Sequence, residues 1–74
     1  MEKKIYITGV GGLLGYKLSI QSIEKFKVFG SYNLRKPELK DITVNKLDLT
    51  NFLETKEIIE KINPDIIVNT AAIS

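Results

Sequence analysis

Neither cysteine nor histidine occurs anywhere in the 74 residues. The first absence removes disulfides and thiol redox chemistry, and the second removes His-based triads and imidazole acid–base catalysis; without either, zinc sites are excluded too. Charge of one sign is also missing. The net charge is +2, with basic residues scattered among acidic ones, so no basic stripe marks a DNA or RNA footprint and nucleic acid is not an expected partner. Lysine is common, whereas Arg35 is the single arginine. Long hydrophobic runs are absent as well. Glu2-Lys3-Lys4 followed by apolar residues has the outline of a secretory leader, but Gly9, Gly11 and Gly12 interrupt the run and no small-residue cleavage site follows. Nothing approaches the roughly 20 apolar residues of a membrane span. The expectation is therefore a cytoplasmic protein without a membrane partner.

What remains is an ordinary globular composition, 43% hydrophobic and 27% charged. A chain this short buries only about 60% of the surface its unfolded form exposes, so it is one domain or a piece of one. Lys4-Ile5-Tyr6-Ile7-Thr8 is β-branched and aromatic, stops at glycine and predicts a buried strand. From Leu13 to about Lys25, the apolar residues Leu13, Leu14, Tyr16, Leu18, Ile20 and Ile23 recur at helical spacing over a broad arc. That breadth predicts a helix touching more than one neighbour. Lys27 to Tyr32 predicts a second strand, Asn33 to Asp41 with its central Pro37 a loop, and Ile42 to Leu47 a third strand. Asn51 or Thr50 can cap a second helix with Glu54 placed as in a capping box, Phe52, Ile59 and Ile62 supply its inner face, and Asn63-Pro64 ends it. Asp65 to Thr70 is the most hydrophobic segment, with a continuous apolar core run as in a strand covered on both faces. The alternation predicts an α/β fold of partial Rossmann type: three layers around a four-stranded parallel sheet of order 3-2-1-4.

Four of the five glycines crowd into residues 9–15, directly behind the first strand. The Walker phosphate loop fails here, because Gly9 and Gly15 are one residue too far apart and Tyr16 precedes Lys17. The dinucleotide fingerprint G-x-G-x-x-G fits Gly9 and Gly11 but meets Leu14 at its third glycine. The spacing that fits is T-G-x-x-G-x-x-G, from Thr8 to Gly15. In it, Gly9 allows a sharp turn, Gly12 admits a pyrophosphate to the backbone, and Gly15 allows the helix to pack on the sheet. The free N–H groups and positive end of the helix then face the phosphates. A glycine-rich turn with no ligand is the alternative.

With TGVGGLLG, LDLTN after the third strand and PDIIVNTAA at the fourth, the whole chain resembles the N-terminal part of the extended short-chain dehydrogenase/reductases, most closely dTDP-4-dehydrorhamnose reductases and their relatives. The resemblance implies an NADP- or NAD-dependent oxidoreductase reducing the 4-keto sugar of a nucleotide sugar. By position, Gly12, Leu13 and Leu14 would meet the pyrophosphate, Asp48 and Leu49 the adenine, and Ala71, Ala72, Ile73 and Ser74 the ribose side of the cofactor. For Asp48 the plain alternative is a turn or pre-helix cap, and for Ala71 and Ala72 small-residue packing.

At the end of the second strand, Tyr32-Asn33-Leu34-Arg35-Lys36 offers no carboxylate for the 2′-OH of NAD until Glu38. Guanidinium suits a 2′-phosphate and Lys36 adds a second positive charge, so this segment, with Asn33 and Arg35 as cofactor-binding residues, points to NADP(H) over NAD; the alternative is that Arg35 and Lys36 are a solvated loop. The family's catalytic pair is Y-x-x-x-K on one helix. Tyr32 and Lys36 have that spacing, but Lys36 precedes Pro37 in a loop, and Tyr6 and Tyr16 lack a following lysine at that interval. No catalytic residue is therefore assigned. Residues 1–74 read as the N-terminal half of an NAD(P)-binding Rossmann domain, truncated before the catalytic and substrate-binding part. Its open fourth strand predicts homo-oligomerisation. A non-catalytic nucleotide-binding or regulatory module, or a purely structural piece, is the competing reading.

Overall fold

A computed structural model describes residues 2–70. In chain order the elements are β1 (Lys4–Thr8), α1 (Leu13–Ser22), β2 (Lys27–Tyr32), β3 (Ile42–Lys46), α2 (Phe52–Ile62) and β4 (Ile66–Asn69). All pairings are parallel and the sheet order is β3-β2-β1-β4, as the alternation predicts. The crossover from β1 to β2 and the one from β3 to β4 run in opposite directions across the sheet. Right-handed crossovers therefore put α1 and α2 on opposite faces, which makes three layers.

Ile5 and Ile7 of β1, Val28 of β2 and Ile42 of β3 form the buried core together with Val10, and Leu18, Ile23 and Val68 pack against it. These side chains share one sheet face because Ile5 lies opposite Val28, and Val28 opposite Ile42. The other face carries Lys4, Tyr6 and Thr8. The Lys4 ammonium donates to the Ile62 carbonyl at 3.0 Å, tying the end of α2 to that face. Tyr6 is fully buried, and burial pushes its phenol above the ordinary value of 10.0, partly offset by hydrogen bonds with Ser31 and Asn45.

Helix α1 departs from expectation in two ways. It ends at Ser22 rather than near Lys25; there the Lys25 N–H bonds three residues back to the Ser22 carbonyl at 3.1 Å and the chain tightens into a turn. Its buried stripe is Gly15, Ser19 and Ser22, while Leu13, Leu14, Tyr16 and Ile20 are exposed. The serine hydroxyls donate to the carbonyls of Tyr16 and Leu18, both at 2.8 Å, so small polar side chains can be buried against the sheet without an unmet hydrogen bond.

Helix α2 begins as its sequence predicts. Asn51 Oδ1 accepts the Glu54 N–H at 3.1 Å, Asn51 Nδ2 donates to Glu54 Oε2 at 3.2 Å, and Asn63 closes the far end in the left-handed region with its N–H on the Ile59 carbonyl. Ile59 and Ile62 are half-buried on its inner face together with Ile58, but Phe52 is 81% exposed and does not belong to it. Phe52 occupies the first helical position, where the chain is still arriving from the turn. Nor is β4 covered on both faces: Ile66 and Ile67 are exposed, the latter by 54%. Among the described residues β4 has β1 as its one strand neighbour, and α2 fully buries no residue of its own.

Candidate functional site

The C-terminal end of β1 turns at Gly9, whose φ of 83° lies in the region that side chains disfavour. The turn is fastened to β2: the N–H groups of Gly9 and Val10 both donate to the Ser31 carbonyl at 2.9 Å, and Val10 is buried against Gly30. Gly12 then donates to the Gly9 carbonyl at 3.0 Å and serves as the N-cap of α1 without any side-chain cap. The first bond into the helix runs from the Tyr16 N–H to the Gly12 carbonyl. The amides of Leu13, Leu14 and Gly15 thus lie ahead of the helical ladder, and the first turn holds no acidic residue.

Steric space separates the glycines by role. A Cβ on Gly15 would collide with the Gly9 carbonyl oxygen and come within 2.6 Å of Thr70 Oγ1, so the first turn of α1 packs there directly on the ends of β1 and β4. Among the described residues a Cβ at Gly12 would find only the Gly9 oxygen, at an ordinary 3.5 Å, and none of them demands glycine at that exposed position. With no side chain at Gly12 and no cap on the helix, the backbone at the start of α1 stays open to a group approaching from outside.

Around this turn the structure gathers some of the expected residues. Arg35 and Lys36 are exposed, and the Arg35 backbone reaches the glycine turn: its carbonyl lies 2.5 Å from where a Gly11 Cβ would stand. Asn33 is exposed just beyond β2. Asp48 sits in the turn after β3, where its Oδ1 accepts the Thr50 N–H at 3.0 Å and the Thr50 hydroxyl at 2.7 Å. Those bonds hold its carboxyl below the ordinary range. One oxygen of Asp48 is thus engaged in shaping the turn before α2; neighbouring Leu49 is half-buried. Ala71, Ala72, Ile73 and Ser74 lie outside the described residues. Tyr32 ends β2 and Lys36 lies in the irregular segment before β3, so this pair shares no helix.

Two contributors escape a reading by motif. The Thr70 hydroxyl donates to the Thr8 carbonyl at 2.6 Å, and the Thr8 hydroxyl donates to Asn69 Oδ1 at 2.6 Å, so the ends of β1 and β4 are cross-linked directly beside Gly9. Strand register alone places Thr8 opposite Asn69. The seating of Arg35 on Gly11 carries no local signal, since it joins two loops. No helix among the described residues is long and apolar enough to cross a membrane, and no described group of three or more acidic residues is placed to hold a metal ion.

The model of the NAD dependent epimerase/dehydratase family matches residues 5–74. Among solved structures, the Bordetella bronchiseptica enzyme WbmH in complex with NAD+ is 26% identical with a TM-score of 0.86, over 100% of this chain and 27% of that one. A short chain dehydrogenase from Leptospira borgpetersenii with bound NAD+ is 30% identical, with a TM-score of 0.81 over 100% of this chain and 33% of its own. L-threonine dehydrogenase from Clostridium difficile is 29% identical, with a TM-score of 0.84 over 99% and 25%. The chain therefore spans between a quarter and a third of the length of these relatives. No curated protein matches it.

Proposed function

The chain belongs to the NAD dependent epimerase/dehydratase family, and from that premise we propose that residues 1–74 are the N-terminal, dinucleotide-binding half of the Rossmann domain of an oxidoreductase acting on a nucleotide sugar. The observation that carries this is the uncapped start of α1 behind Gly12, where open amides meet a position kept free of a side chain. Gly9 makes the turn, and Gly12, Leu13 and Leu14 present backbone to the pyrophosphate. Asp48, through the oxygen not held by Thr50, and Leu49 bound the adenine; Ala71, Ala72, Ile73 and Ser74, which lie outside the described residues, are assigned to the ribose side of the cofactor by the resemblance alone. When bound, the nicotinamide supplies the hydride chemistry. The residues of this chain bind and orient it, and none of them is assigned a proton-transfer role.

The cofactor we assign is NADP(H). The WbmH and Leptospira structures hold NAD, but here the end of β2 has no carboxylate to accept a ribose 2′-OH, and the Arg35 guanidinium is exposed with no ion-pair partner among the described residues. Reduction of a 4-keto sugar, as in dTDP-4-dehydrorhamnose reductases, is the finer reading and rests on the LDLTN and PDIIVNTAA segments. L-threonine dehydrogenase shares the fold with a quite different substrate, so the sugar is chosen outside this half.

Calorimetric titration of the 74-residue chain tests the proposal. Saturable one-site binding of NADPH, weaker binding of NADH, and loss of both in Gly12→Val are the expected results. An Asn33→Asp variant should shift preference toward NADH. Absence of saturable heat with either dinucleotide would overturn the assignment.

A further inference from the structure

Residues 9–11 are fastened to the end of β2 at three successive points. The Gly9 and Val10 amides hold the Ser31 carbonyl, Val10 Cγ1 lies 2.6 Å from the place of a Gly30 Cβ, and the Arg35 carbonyl oxygen fills the place of a Gly11 Cβ, 2.5 Å from it. The first two contacts fix strand to turn. The third fixes a loop, because Asn33 to Asp41 has no regular structure and runs between β2 and β3 across Pro37. Gly11 is not one of the glycines at the spaced positions of the phosphate turn. Its φ is not in the left-handed region, so no backbone requirement calls for glycine there. What calls for it is the approach of the Arg35 backbone, with Tyr32 Cβ also near at 3.6 Å.

We propose that Gly11 is a positioning residue for cofactor choice: by carrying no side chain it seats the Arg35 carbonyl against the phosphate turn and so holds the Arg35 guanidinium beside the ribose 2′ position. This rests on the dinucleotide reading above and deepens it by separating the glycines that admit the pyrophosphate from the one that sets discrimination. The physical lever is geometric. A methyl group on Gly11 cannot share space with a backbone oxygen, so the loop has to move away. A guanidinium displaced by even an ångström loses the paired, charge-assisted geometry on a phosphate, while contacts of the pyrophosphate to the helix amides are untouched.

The test compares Gly11→Ala, Gly12→Ala and Arg35→Gln by titration with NADPH and NADH, with folding followed by circular dichroism. Gly11→Ala is expected to weaken NADPH about tenfold, as for loss of a charge-assisted pair, and NADH less than about twofold. Arg35→Gln should do the same, and in combination with Gly11→Ala add little, since the two act through one contact. Gly12→Ala should weaken both dinucleotides alike. In the free protein, Gly11→Ala should shift the amide resonances of residues 33–36. Equal loss of both dinucleotides in Gly11→Ala, additive behaviour of the double variant, unmoved resonances in residues 33–36, or failure of Gly11→Ala to fold would each overturn the role of Gly11 while leaving the dinucleotide site standing. A wild-type chain that binds neither dinucleotide, or binds NADPH no more tightly than NADH, would overturn this inference together with the cofactor assignment.

Discussion

The two β-α-β units, β1-α1-β2 at the centre of the sheet and β3-α2-β4 reaching its two edges, anchor their helices in opposite ways. Helix α1 has no side-chain cap, no acidic residue in its first turn and no basic residue in its last, yet it buries Gly15, Ser19 and Ser22 tightly against the sheet. Helix α2 has a reciprocal Asn51–Glu54 cap, Lys61 in its last turn and a left-handed Asn63 cap, yet fully buries none of its residues. Local signals and tertiary anchoring are thus traded against each other. A helix whose N-terminus is not closed by its own side chains has to draw its stability from packing. A helix capped at both ends is secured locally and can rest loosely on its sheet.

The comparison breaks most sharply at Gly15. A Gly15→Leu substitution drives a side chain into the Gly9 carbonyl and Thr70, both part of the β1 and β4 ends, and should cost about 3 kcal/mol or more, enough to unfold much of so small a chain. Urea unfolding followed by far-ultraviolet circular dichroism measures it. A loss below about 1 kcal/mol would mean that α1 is not held by close approach at all.

On the α2 side, Asn51→Ala removes the acceptor of the Glu54 N–H and the partner of its carboxylate, for an expected loss of about 1 kcal/mol. The cost should appear as fraying of α2, with amide exchange accelerating in residues 52–56 and not in α1. Uniform acceleration across both helices would deny the independence of the two units.

The units also differ in the pH limit each sets. Tyr6 in β1 has a raised phenol, so its neutral form is favoured in the folded state; the stability it contributes is complete below the ordinary value of 10.0 and is lost as pH climbs from there through the folded value. Asp48 ahead of α2 has a lowered carboxyl, so its contribution is complete above the ordinary value of 3.8 and fades as pH falls below it toward the folded value. Tyr6→Phe should flatten the alkaline limb of a stability profile. Asp48→Asn should flatten only the acid limb, and weakly, because Asp48 is exposed to solvent. Either substitution acting on the opposite limb would contradict the assignment.

These contrasts also explain what could be read in advance. Strands β1 and β2, the sheet order, the Asn51–Glu54 cap and the place of the glycine turn are set by neighbours in sequence and by the handedness of crossovers, and all were legible. The buried stripe of α1 was not, because hydrophobic periodicity weighs Leu13, Tyr16 and Ile20, whereas close packing selects Gly15, Ser19 and Ser22 for their size. Phe52 and Ile67 were misjudged for a related reason: an apolar side chain declares a preference for burial, not the presence of something to bury it. In the site, the open amides follow from a local motif. The Thr70 bond to Thr8 and the seating of Arg35 on Gly11 join segments far apart in sequence, and only the folded chain brings them together.

The smallest effect concerns the exposed face of α2, where Lys56 and Glu60 approach to 3.8 Å with both side chains largely in solvent. Their order is the less favourable one, since Glu before Lys at this spacing matches the helix dipole and Lys before Glu opposes it. Solvent screening leaves the pair close to neutral as it stands. Exchanging the two residues, Lys56→Glu with Glu60→Lys, should raise stability by about 0.3 kcal/mol, visible as a small rise in the urea midpoint with an unchanged slope. The gain should survive in an Asn51→Ala background and vanish at high salt. If the exchange lowers the midpoint, α2 is not governed by its own local balance, and the contrast with α1 loses its basis.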